Sequence, residues 1–130
     1  DAVATDHAPH ARHDKEHAFP DAAFGMLGLE TALAVIIDLF VDEGTLDWAR
    51  VAELMSFTPA RIADLPGQGR PIAIGEPANL VLVDPNRRAV VDRDSSASLS
   101  RNNPWHGLDL PDPVDLTVWA GTTTYRREDQ

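Results

Sequence analysis

The sequence predicts an α/β chain: one strand end, then helices, then a small all-β segment. Three observations carry this. Ala2-Val3-Ala4 is an apolar lead running into the polar cluster Thr5-Asp6-His7-Ala8-Pro9-His10, as a buried strand does where it ends. Apolar residues recur at helical spacing over residues 29–42. Past Pro66, the glycines and prolines Gly67, Gly69, Pro71, Gly75 and Pro77 punctuate the chain, and strand-like runs replace helical periods.

Taken in order, residues 11–24 are polar, contain Pro20 and read as a loop with one helical turn near 14–18, closed by Gly25-Met26-Leu27-Gly28. In the helix of 29–42, Leu29, Leu33, Ile36, Ile37 and Phe40 form an apolar stripe. Val35, Leu39 and Val41 widen it, so the helix is expected to be buried against two neighbours. Gly44 stops it. Asp47 caps a second helix, 48–56, facing inward through Val51, Ala52, Leu54 and Met55. Thr58 is read as the cap, and Pro59 as the first residue, of a third helix ending at Asp64. Strands are expected at Leu80-Val81-Leu82-Val83 and Ala89-Val90-Val91, with a hairpin of 116–120 and 123–125 about Gly121-Thr122. The tail, 126–130, is read as frayed. The three tryptophans are read as core anchors, and Arg87-Arg88 and Arg126-Arg127 as surface pairs.

The chain has 130 residues, 43% of them hydrophobic, enough for a core. Eleven basic against 21 acidic residues give a charge of -10, which argues against nucleic acid or an anionic membrane as partner. A locally positive site for a small anion remains compatible with it. There is no cysteine, hence no disulfide or thiolate chemistry. No apolar run approaches the roughly 18 residues of a membrane span. The first residue falls inside an element, and one strand-and-helix unit cannot cover both faces of its strand. The expectation is a piece of a longer polypeptide.

The chemistry centres on Asp6. A carboxylate at a strand end is a hard metal ligand and a general base, though such a residue also serves as a turn or helix cap. His7 is either a hydrogen-bonding residue or an orienter of the site. His7, His10, His13 and His17 at spacings of three, three and four suggest a metal-binding helix, but Pro9 opposes a helix through the first pair. His13 and His17 are placed on a solvated loop. Gly67-Gln68-Gly69 is too short for a phosphate cradle.

Several segments in order resemble one known family. Thr5-Asp6-His7-Ala8-Pro9-His10, Phe24-Gly25 and Gly28-Leu29-Glu30-Thr31 resemble the dihydroorotases of the amidohydrolase superfamily, in their long, bacterial-type branch. Thr58-Pro59-Ala60, Gly75-Glu76-Pro77-Ala78-Asn79-Leu80-Val81 and Ser100-Arg101-Asn102-Asn103-Pro104-Trp105 are similar to further segments of that branch. Ala23 departs from it, standing where the family commonly has proline.

The resemblance implies the C-terminal portion of a family member. Residues 1–65 would supply the last strand and helices of a (β/α)8 metal-dependent hydrolase barrel, and residues 66–130 the C-terminal strands of a small β-sandwich. It implies cytoplasmic pyrimidine biosynthesis: reversible cyclisation of N-carbamoyl-L-aspartate to dihydroorotate. Zn2+, two ions per complete site, would be held mostly by residues outside this chain. It implies Asp6 as metal ligand and proton carrier, His10 as a contact to the substrate carboxylate, Phe24 and Gly25 as a backbone contact to the pyrimidine ring, and His7 behind them. The chain alone is not expected to turn over substrate. Its partners would be the rest of the enzyme, with a homo-oligomer or aspartate carbamoyltransferase as further candidates. Two alternatives stand beside this: a related cyclic amidase (hydantoinase or allantoinase), and a catalytically silent scaffold for aspartate carbamoyltransferase.

Overall fold

The computed structural model describes residues 1–127. Its helical half opens with a single turn, α1 (Arg12–Lys15). A longer helix follows as α2 (Ala32–Ile36), winding on without a break into a π-helical turn, Ile37–Val41. Residues 29–31 form a turn rather than the first helical turn, and the Gly28 and Leu29 amides at its start are engaged by the His7 ring. Gly44, at φ 73°, ends the helix by donating its amide to Val41.

The second helix is capped as the sequence indicates. Asp47 is extended, and its Oδ1 accepts from the Arg50 amide at 2.8 Å. Beyond the cap, α3 (Trp48–Ala52), a π turn (Glu53–Phe57) and α4 (Thr58–Ile62) form one continuous rod. The expected third cap at Thr58 is therefore corrected. Thr58 is itself helical and buried, and the wider π turn before Pro59 lets the helix pass a residue that has no N–H to donate.

In the second half, β1 (Leu80–Val83), β4 (Val114–Trp119) and β5 (Thr122–Arg126) form an antiparallel sheet in the order β1-β4-β5. Leu80 lies opposite Val118, and Leu116 opposite Arg126. The hairpin is present, but its two-residue turn is Ala120-Gly121, both at positive φ, one residue earlier than expected. A second pair, β2 (Arg88–Val90) with β3 (Asp109–Pro111), packs against the long helix.

Ala2-Val3-Ala4 joins no ladder among the described residues. It contributes a bond from the Val3 amide to the Leu54 carbonyl, and the one parallel bridge nearby is made after it, by His7 with Met26. The core is small: Leu27, Ala34, Ile37, Val51, Ala60 and Leu110. The broad helix face is thus only partly covered. Ile37 is fully buried, whereas Leu29 is 63% and Leu39 51% exposed. Trp48 and Trp119 are also exposed rather than core anchors, and β1 is apolar yet largely open.

The arginine pairs do more than cover the surface. Arg88 meets Asp38 at 2.8 Å and Asp42 at 3.4 Å on the long helix, and Asp109 at 3.1 Å, tying β2 to both helix and strand. Arg87 pairs with Asp84 and Asp115. Arg126 belongs to β5, and Arg127 bonds Asp112 at 2.7 Å, so neither residue is frayed. Residues 128–130 of the expected tail lie outside the described residues.

Candidate active site

Two chain segments make the site: residues 5–10 and residues 24–28, held side by side by the His7–Met26 bridge and by the Ala8 amide bonding Met26 at 2.9 Å. Asp6 sits at the bend with φ 47°, a left-handed conformation that aspartate tolerates better than most residues. That bend leaves the Asp6 residue exposed while His7 turns inward. Backbone conformations of this kind concentrate at functional sites.

His7 has a definite structural task. Its Nδ1 accepts from the Gly28 amide at 3.1 Å, with the Leu29 amide at 3.4 Å. An accepting Nδ1 places the ring proton on Nε2 in the neutral form. The ring thereby fixes residues 28–29 against the loop. Gly28 completes the fit, since a Cβ there would lie 3.1 Å from the Thr5 carbonyl oxygen.

His10 and Gly25 meet directly. Gly25 has φ 116°, and a Cβ on it would stand 2.4 Å from the Ala8 Cβ and 3.3 Å from His10 Nε2. Only glycine fits between them. The Gly25 carbonyl accepts from Asn102 Nδ2 at 2.8 Å and Lys15 Nζ at 3.1 Å. The Phe24 side chain, 86% exposed, projects away from this contact network.

A cleft of about 350 Å³ opens beside His10, lined also by Lys15, Asn102 and three arginines, Arg12, Arg93 and Arg101. Arg12 is paired with Glu16 and Arg101 with Asp94, the two carboxylates of the cleft. Four cationic side chains against two acids make this a locally positive surface on a chain of charge -10.

On the far side of His7, Glu30 accepts from Ser96 Oγ at 2.5 Å and from the Ala97 and Ser98 amides at 3.3 and 3.4 Å. Burial pushes its carboxyl upward, but these bonds outweigh burial and hold it below the ordinary range.

Of the residues singled out in sequence, His10 and Gly25 are brought together, while His7 bonds Gly28 and Leu29, with Asp6 next to it in the chain. His13 and His17 are exposed, but only His17 lies on a loop; His13 belongs to α1. Lys15 and Asn102 were not singled out. Asn102 lay inside the Ser100–Trp105 resemblance, which marked the segment without indicating what its asparagine bonds. As a metal site the chain is incomplete. Among the described residues, no three His, Asp or Glu side chains lie where they would share an ion. Asp6 can offer one carboxylate to a metal, and the described residues do not complete its set.

No family model matches the chain. Individual proteins do. A dihydroorotase of Streptomyces coelicolor is 53% identical over 124 residues, covering 95% of this chain and 29% of that protein. A dihydroorotase of Mycobacterium leprae is 50% identical over 126 residues, covering 97% and 29% respectively. Among solved structures, an L-hydantoinase (dihydropyrimidinase) of Arthrobacter aurescens superposes with a TM-score of 0.87 at 30% identity, over 99% of this chain and 29% of that one. A D-hydantoinase (dihydropyrimidinase) of a Thermus species gives 0.84 at 26% identity, over 97% and 28%. The mixed helix-and-sheet fold is that of the hydantoinase structures. Over 95–97% of its length the chain is similar to these dihydroorotases, and it spans 29% of the length of the curated relatives it matches.

Proposed function

We propose that this chain is the C-terminal portion of a dihydroorotase, contributing the proton carrier and the carboxylate-binding side of its active site. The observation that carries the choice of substrate is the cationic cleft beside His10. Dihydroorotate bears one carboxylate and N-carbamoyl-aspartate two, so a locally positive cleft suits both. A hydantoin without a carboxylate would bring no anion to this positive surface.

In the hydrolytic direction, water adds to the ring amide carbonyl and the carbon–nitrogen bond breaks. Asp6, exposed at the bend, takes the proton from water and delivers it to the departing nitrogen. His10 holds the substrate carboxylate, and the Phe24-Gly25 backbone lies along the pyrimidine ring. His7 keeps residues 28–29 in place through its Nδ1. In the complete enzyme, metal ions, Zn2+ on the family's pattern, supply a polarised carbonyl and an acidified water. Asp6 is this chain's one ligand to them.

The same reading accounts for the open apolar surfaces. Leu29, Leu39, Ile72, Ile74 and Leu80 to Leu82 of β1 are more exposed than an independent domain sustains. The remainder of a (β/α)8 barrel would cover the helices of residues 1–65, and the remaining sandwich strands would cover those of residues 66–130.

The test is a substrate comparison with the longer enzyme that carries this chain. Turnover of dihydroorotate with little activity on hydantoin supports the reading; the reverse preference makes the protein a hydantoinase-type amidase. Absence of both activities in the metal-loaded enzyme would point to a silent scaffold.

A further inference from the structure

We infer that Asn102 is a positioning residue for the substrate-contact backbone, acting with Lys15 through the carbonyl of Gly25. The inference rests on the proposed function for what that backbone contacts. It rests on the hydrogen bonds alone for what holds it.

Asn102 comes from a loop 77 residues further along the chain, yet its side chain closes the gap between both site segments. Nδ2 donates to the Gly25 carbonyl at 2.8 Å and approaches the Ala8 carbonyl at 3.5 Å. Its backbone carbonyl accepts from the Leu27 amide at 3.0 Å. Oδ1 is occupied by the Ser100 hydroxyl, which fixes the amide's orientation with Nδ2 towards the site. From the other side, Lys15 Nζ donates to Ala23 at 2.6 Å and to the same Gly25 carbonyl at 3.1 Å.

Gly25 needs such a clamp. At φ 116° it occupies a region that only glycine visits freely, and glycine also leaves it without effort. Two donors on one carbonyl oxygen, one of them charged, select a single orientation of the 25–26 peptide. Because that peptide is planar and trans, the Met26 N–H is fixed opposite the clamped carbonyl. His10, packed against Gly25, is registered by the same clamp. Asn102, which also lines the cleft beside His10, thereby couples the ring contact to the carboxylate contact through the backbone.

The test uses the longer enzyme with Asn102→Asp, which keeps the shape but replaces the donor with an acceptor, and Asn102→Ala. Both should raise KM for dihydroorotate about tenfold or more while kcat changes by less than about threefold, since substrate placement is lost rather than proton transfer. Lys15→Met should raise KM as well. Lys15→Met combined with Asn102→Ala should raise it by less than the product of the single effects, because both groups hold one oxygen. An unchanged KM in both Asn102 variants would overturn the inference. So would a fall in kcat and thermal midpoint at constant KM, the sign of a purely structural role. If the unmodified enzyme does not act on dihydroorotate, the functional reading fails separately. The clamp is then judged by amide exchange. Asn102→Asp should speed exchange at Ala8 and Leu27 and leave the β4–β5 hairpin unchanged, and equal protection at Ala8 and Leu27 would refute it.

Discussion

Gly25 packs so closely on Ala8 that a Cβ at residue 25 would lie 2.4 Å from the Ala8 Cβ, inside any real contact distance. The pairing puts the backbone of one site segment against the other, with His10 Nε2 at the third corner. Gly25→Ala must open this contact and also bear a left-handed φ of 116°. It should cost about 1–3 kcal/mol of stability and raise KM, read by urea unfolding and by steady-state kinetics of the longer enzyme. An alanine variant as stable as the parent would mean the two segments are not in this contact.

His7 gives a second, separable prediction. Its Nδ1 takes the Gly28 amide at 3.1 Å, so His7→Phe leaves that N–H without a partner and should destabilise by about 1–3 kcal/mol. Asparagine, whose side-chain oxygen can take the place of Nδ1, should recover much of this in denaturant unfolding. Equal losses for Phe and Asn would show that the ring's bulk matters rather than its bond.

Acid should weaken the fold at two identified carboxylates. Arg87, through its hydrogen bond to Asp115, holds the Asp115 carboxyl below its ordinary value against the opposing effect of desolvation. Glu30 is also held low, because the bonds from Ser96, Ala97 and Ser98 outweigh the upward push of burial. A carboxyl lowered in the folded state contributes stability that is full above its unfolded value, about 4, and fades as pH falls through the lower folded value. Thermal midpoints should therefore be flat at neutral pH and fall below about pH 4. The double variant Glu30→Gln/Asp115→Asn should show a shallower fall than the parent; an identical slope would remove both residues from the account.

His10 tests substrate choice. His10→Ala should raise KM for dihydroorotate about tenfold or more with a smaller change in kcat, since it removes one partner of an anion rather than the proton carrier. An unchanged KM would indicate a substrate lacking that carboxylate.

Some of this was open to reading in the sequence, and the exceptions have physical causes. The Asp47 cap, the Gly44 stop, the Leu80–Val83 strand and the hairpin are set by residues a few positions apart, so local spacing revealed them. Thr58 looked like a cap because Pro59 follows it, but the π turn that carries the helix past the proline leaves no trace in apolar periodicity. The arginines looked solvated because their partners lie far off in sequence, Asp38 being 50 residues from Arg88. The site divides the same way. Asp6, His7 and His10 stood out through their spacing. The clamp on Gly25 could not, because Asn102 reaches it across 77 residues and its type alone says nothing of its target. The exposed helix face also read as buried, since apolar pattern reports what a surface needs to cover it and not whether this chain supplies the cover.

The most direct test of the central claim is Asp6→Asn in the longer, metal-loaded enzyme, assayed with dihydroorotate. Asparagine keeps the size of the side chain and tolerates the φ of 47°, so thermal unfolding should be close to the parent's. Turnover should fall by about a hundred- to ten-thousand-fold, the range of a lost proton carrier. An Asp6→Asn enzyme that folds normally and keeps most of its activity would contradict the account.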